Sequence, residues 1–204
     1  DVSPTHVIQM INGSGGAYYK IYDRVTGAVV INQTYFDSFT GIGGLGDPIV
    51  LYDQLADRWL MSEFSDGGNL LVVAISVTND PTGTWDIYSY QAPQFPDYPK
   101  YAVWPNAYVV TSNESTPAVY ALDRAQMLAG NAGTMQRFTV PPYGTIGFQA
   151  MTPADIDGTT LPPAGEPAIV MRMADDAWDP NLNQDQLEIF EFDIDFATPA
   201  NTSI

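Results

Sequence analysis

The sequence has no cysteine, which excludes disulfides, zinc–thiolate sites and cysteine nucleophiles together. Basic residues are scarce. Seven Lys and Arg stand against 24 Asp and Glu, for a formal net charge of −17. Such a surface repels phosphate, and no basic stripe offsets it, so neither nucleic-acid binding nor docking on anionic lipid is expected. His6 is the only histidine. A His-rich zinc or iron site is therefore impossible, and a Ser–His–Asp triad would have to use His6. No apolar run approaches the length of a membrane span, so no membrane insertion is expected. Long stretches free of Gly and Pro are also missing, which argues against a helical protein.

What is present points to an all-β chain. Hydrophobic residues make up 45% of 204 positions, enough for a substantial core. The 17 Gly and 16 Pro are scattered along the chain, as many turns between short elements require. The chain opens on Asp1 rather than Met, as a mature or excised segment would.

Self-similarity is the strongest signal. Pro4–Arg24 (PTHVIQMINGSGGAYYKIYDR) aligns with Pro105–Arg124 (PNAYVVTSNESTPAVYALDR). Each begins with Pro and an apolar strand, carries Asn (12 and 113) in a polar turn, and ends a second strand in Asp-Arg. His6 falls opposite Ala107 in this alignment, a position with no catalytic character. A second register repeats at about half that spacing: Asp47-Pro48, then Asp97-Tyr98-Pro99, then Gly147–Met151, each opening an apolar run. Strands are expected at Arg58–Phe64, Leu70–Val77, Thr84–Tyr90, Ala107–Thr111, Ala118–Asp123, Thr134–Val140, Pro167–Met173 and Gln186–Asp193. A period near 50 residues with about four short strands per unit is the mark of a β-propeller blade. Stacked blades bury both faces of each sheet, and this explains why LLVVAISV is apolar almost throughout. The expected fold is thus a single β-propeller-like domain. Its four-stranded antiparallel units span about 1–45, 46–95, 96–145 and 146–204, the first lacking an obvious innermost strand, as a complete ring or as part of a larger one; a two-sheet sandwich is the alternative.

The patterns GDPIVLYDQLADRW (46–59), DPTGTW (80–85), DYPKYAVWP (97–105) and LDRAQML (122–128) extend over most of the chain. On them it resembles a group of secreted bacterial β-propeller proteins, often multidomain, with little assigned function. The resemblance implies a secreted or cell-surface scaffold more than a reaction. A looser similarity to five-bladed furanosidase-type glycoside hydrolases rests on Asp-Pro at an inner-strand start and on the Asp80-Pro81-Thr82-Gly83 turn. Those enzymes need three acidic groups. Asp47 and Asp97 match the first two in kind, and no carboxylate stands near Gly147–Gln149.

Three groups of residues could carry chemistry. Asp47 and Asp97, at inner-strand starts, could serve as the acid and base of glycoside cleavage, or cap turns. The segment Asp175–Asp185 offers Asp175, Asp176, Asp179, Asn181, Asn183 and Asp185 as hard oxygen ligands for calcium, in an order that is not the EF-hand's. A solvated hairpin loop is the alternative. Asp155-Ile156-Asp157-Gly158 reads as a calcium-loop start or as an Asx turn with Gly at positive φ. Trp178, Tyr98 and Tyr101 are candidate ligand-stacking aromatics, with Tyr18, Tyr19 and Tyr143 near other turns, whereas Trp59, Trp85, Trp104, Tyr108 and Tyr120 read as packing. Gly41–Gly46 (GIGGLG) lacks lysine and precedes a strand, so it fits no phosphate-binding loop and reads as a connector. The function expected is an extracellular, non-catalytic binding or structural module, calcium-stabilised, with a protein or glycan partner at the cell surface. A glycoside hydrolase or lyase using axial carboxylates is the alternative.

Overall fold

Strands form where the chain runs through β-branched and aromatic residues, and they stop at turns built on Gly, Asp and Pro. The computed structural model describes residues 1–65, 67–142, 149 and 151–204. It is all-β, with 49% strand and 7% helix. The strands are β1 His6–Gly13, β2 Gly16–Asp23, β3 Val29–Tyr35, β4 Gly44–Asp53, β5 Arg58–Ser65, β6 Leu70–Ser76, β7 Trp85–Gln91, β8 Lys100–Val103, β9 Ala107–Ser112, β10 Ala118–Asp123, β11 Met135–Thr139, β12 Met151–Pro153, β13 Ala168–Ala174 and β14 Gln186–Phe192. Short helices α1 (Phe36–Thr40) and α2 (Arg124–Leu128) follow β3 and β10. Among the described residues no helix is long and apolar enough to cross a membrane.

Four antiparallel sheets result, ordered β1-β2-β3, β4-β5-β6-β7, β11-β10-β9-β8 and β12-β13-β14. Among the described residues two carry four strands, and the first, where no innermost strand is expected, and the last carry three. Before β1 the chain turns on itself through Ser3, whose N–H and hydroxyl meet the His6 carbonyl, and only Val2 bridges to Val7. After β14 it bridges once, Asp193 to Ser203, then meets Pro199, which has no N–H for a ladder. The run Gly41–Gly46 is a connector only to Gly43. Gly44 already belongs to β4, whose pairing with β5 shifts register around Gly46. Of the third apolar opening, Gly147, Phe148 and Ala150 lie outside the described residues, as does Tyr143.

The chain divides into two compact units, Asp1–Pro96 with Gln126–Ala132, and Asp97–Ala125 with Gly133–Ile204. The first has its core between sheets one and two, around Ile8, Tyr19, Phe36, Trp59 and Val72. The second has its core between sheets three and four, around Val109, Val119, Val170 and Phe192. Alternate residues of a strand face opposite sides of the sheet. Continuous burial along β5, β6, β9 and β10 therefore means that both of their faces are covered. In β13 burial alternates, so the fourth sheet covers one face only.

Candidate functional site

The sequence motifs turn out to be built from local hydrogen bonds. In YDQLAD the buried Asp53 carboxylate accepts the N–H groups of Leu55 and Ala56, and Asp57, at positive φ, takes the Tyr52 hydroxyl and the Asn79 amide. In DPTGTW Asp80 accepts from the backbone and hydroxyl of Thr82, and the Trp85 indole donates to the Pro81 carbonyl. These bonds hold the Asp80 carboxyl below the usual carboxylate range. The Asp-Arg pairs act alike. Arg24 donates to the Ser3 carbonyl, and Arg124 to that of Pro105.

Asp47 occupies the left-handed region (φ 47°) immediately before Pro48, and Tyr98 does the same (φ 51°) before Pro99. Both steric rules are broken at once, at a cost of about 1–3 kcal/mol each. At Asp47 the compensation is reciprocal. Its N–H donates to Asn12 Oδ1 at 2.7 Å, and Asn12 Nδ2 donates to its carboxylate at 3.3 Å. Asn113 Oδ1 accepts the Gln149 N–H in the same manner. The backbone position matching Asp47 is thus Tyr98, one residue beyond Asp97. Asp97 contributes its carbonyl to the Asn113 N–H. Tyr98 is exposed and lies under the Lys100 ammonium, 3.3 Å from the ring centroid. Tyr101 is only 6% exposed in β8, so it presents no face to a ligand.

Of the six acidic-loop residues, Asp175, Asp176 and Asp185 converge, with one carboxylate oxygen of each within 4.8 Å of the others. Asp179 instead accepts the Asn181 N–H and side-chain amide. The Asp175 carboxylate accepts the Ala177 N–H, and that of Asp185 accepts the Asp176 N–H. Trp178 stands exposed on this loop. In the Asp155–Gly158 motif the exposed Asp155 accepts the Val103 N–H at 2.6 Å, capping the open edge of β8. It is a strand cap. A cavity of about 330 Å³ lies in the second unit between Trp104, Asn106 and the Leu161–Pro167 loop. The Trp104 indole is held there by the Glu166 carbonyl.

Three buried polar groups escaped the sequence reading. Glu63 on β5 is 1% exposed, and its Oε2 accepts the Ala17 N–H at 3.0 Å. Asp37 stands in α1, and its Oδ1 lies beside the Tyr35 hydroxyl, since a Cβ at Gly16 would meet both. Burial first, then Asp37, pushes the Glu63 carboxyl up to about 8. Desolvation and Asp37 push the Tyr35 phenol up to about 12. In the second unit the buried Glu114 accepts from Ser112, Tyr120 and Arg137. Arg172, buried in β13, is paired with Glu188 and donates to Gln149. The available signal was a charge inside an apolar stretch of strand, as Glu63 is in WLMSEF and Arg172 in AIVMRM.

The outer side of the fourth sheet differs in character. Met173 pairs with Leu187, and Met171 with Ile189, so all four share one face. Met173, Leu187 and Ile189 are 50%, 61% and 58% exposed. The opposite face carries Val170, Arg172 and Phe192 into the core. No family model and no curated protein matches the chain.

Proposed function

We propose that the chain is a non-catalytic binding module of an extracellular protein, built on a β-propeller plan, with a protein as its ligand. The propeller plan is supported by four successive antiparallel sheets and by paired details. These are the strained pre-proline residues 47 and 98, the Asn12 and Asn113 caps, and the Arg24 and Arg124 ties. One observation carries the binding reading. The strands β5, β6, β9 and β10 are covered on both faces, whereas β13 and β14 expose Met173, Leu187 and Ile189 together. Burying each such side chain in a partner is worth about 1.5–3 kcal/mol, and contiguous exposed apolar surface marks interaction sites. Glu191 borders this face, and the net charge of −17 attracts a basic partner over long range. The ligand is therefore an apolar protein surface rimmed by Lys and Arg. In the same reading Asp175, Asp176 and Asp185 take calcium, so chelator lowers the melting temperature.

A displayed peptide library selected against the folded chain tests the surface. Selected ligands are expected to be apolar with flanking basic residues and to lose at least about tenfold in affinity for Leu187→Lys/Ile189→Lys. Ligands indifferent to that variant would overturn the surface. Turnover of a glycan that disappears in Asp47→Asn or Asp97→Asn would replace the binding reading with the hydrolase one.

A further inference from the structure

The first unit contains a set of oxygens with too few hydrogens. Glu63 Oε2 is satisfied by the Ala17 N–H, but Glu63 Oε1 is buried with no donor, and so is Asp37 Oδ1. Both carboxyls border the same stretch of backbone: the Ala17 N–H donates to Glu63, and a Cβ on the preceding Gly16 would meet Asp37 Oδ1. The neighbouring hydroxyl, that of Tyr35, has a single proton, and both the Gly15 carbonyl and Asp37 draw on it. A phenol offers one donor, and ionised carboxylates offer none. The backbone makes room for this arrangement. A Cβ at Gly44 would lie 2.1 Å from the Glu63 carboxyl carbon, and one at Gly16 would lie 3.0 Å from Tyr35 Oη and 3.1 Å from Asp37 Oδ1.

We propose that Asp37 and Glu63 bind one hard divalent cation of the calcium class, with the Tyr35 hydroxyl and Gly15 carbonyl completing the oxygen set beside them. Calcium takes only oxygen ligands and accepts irregular geometry, so this donor set is the one it selects. Its two charges neutralise two carboxylates that would otherwise repel each other in a poorly solvated site. Asp37 and Tyr35 are only half-buried, which leaves the ion a path from solvent to the wholly buried Glu63. The ion would tie α1, β3 and β5 together at the point where the Ala17 N–H already joins β2 to β5. This site is separate from the Asp175–Asp185 loop, which lies in the second unit.

Terbium luminescence excited through tyrosine is the direct probe, because Tyr35 stands in the site and its ring lies 4.9 Å from that of Tyr18. The measurement uses the full chain carrying Asp175→Asn/Asp185→Asn, which removes the loop carboxylates. One equivalent of terbium is expected to give saturable emission that calcium displaces. Asp37→Asn in that background is expected to lose at least about tenfold in terbium affinity. Calcium should raise the melting temperature of the parent and leave that of Asp37→Asn unchanged. Should Asp37→Asn fail to fold, calorimetric titration of the parent with calcium chloride decides, with one bound equivalent expected. Absence of saturable binding, or emission unaffected by Asp37→Asn, overturns the proposal. In the first case a shared proton alone joins the two carboxyls.

Discussion

Arg137→Met should be among the most damaging single changes that leave the hydrophobic core intact. Glu114 is buried, its Oε2 lies 2.5 Å from Arg137 Nη2, and its Oε1 accepts from Ser112 Oγ at 2.7 Å and from the Tyr120 hydroxyl. Arg137 also donates to the Tyr120 oxygen at 3.2 Å. Removing the guanidinium strands a carboxylate in the interior, a loss of about 3–5 kcal/mol for a fully buried pair. A quarter of the Arg137 side chain stays exposed, and two neutral donors survive, so the lower end, about 3 kcal/mol, applies. For a unit of roughly 100 residues that is a fall of about 12 °C or more in melting temperature. Glu114→Gln/Arg137→Met removes both charges and should recover at least about 1 kcal/mol of the loss. Urea unfolding followed by tryptophan fluorescence reads all variants, with calorimetry checking whether the two units melt separately. A loss below about 1 kcal/mol for Arg137→Met, or strict additivity in the double variant, would refute the view that Arg137 neutralises a buried charge.

Gly44→Ala places a methyl against the Glu63 carboxyl and should cost about 1–3 kcal/mol, read by urea unfolding. An unchanged midpoint would mean that the strand yields there. Asp53→Ala leaves the Leu55 N–H without its acceptor and the Ala56 N–H with only the residue-53 carbonyl, and should cost about 1–3 kcal/mol. Retention of full stability would show that water replaces the carboxylate. Leu187→Lys/Ile189→Lys should change stability by no more than about 0.5 kcal/mol while lowering binding of a hydrophobic dye by the folded chain.

Strand positions were legible because packing and local preference agree. The segment expected at Leu70–Val77 is the strand Leu70–Ser76, and that expected at Ala118–Asp123 has those same bounds. The strand Val29–Tyr35 lies outside the expected set because its apolar run, Val29-Val30-Ile31, is cut short by Asn32, Gln33 and Thr34. Helix α1 was equally invisible, since five residues are too few to show a helical period. Strand number differed from expectation at the last sheet for a related reason. A missing strand is an absence of pairing, and pairing depends on partners distant in sequence.

Chemistry was harder to read, because density of acidic residues is a poor guide to how a carboxylate is used. The Asp175–Asp185 loop drew attention with four Asp in eleven positions, yet Asp175, Asp179 and Asp185 each accept a nearby backbone N–H close to solvent. Asp47 similarly engages Asn12. Glu63 is the single carboxylate in RWLMSEF and stands out little there. Once β5 is covered on both faces, however, that lone carboxyl has nowhere to solvate. Its partner Asp37 lies 26 positions earlier on another element, a separation with no local signature. Arg172 and Glu188 are cross-strand neighbours, but the long loop between their strands leaves the register open until the sheet is seen. A charge within a strand apolar on both sides therefore says more about a site than a run of charges does. The strand forces a counter-group to exist, whereas the run can be satisfied by water and its own backbone.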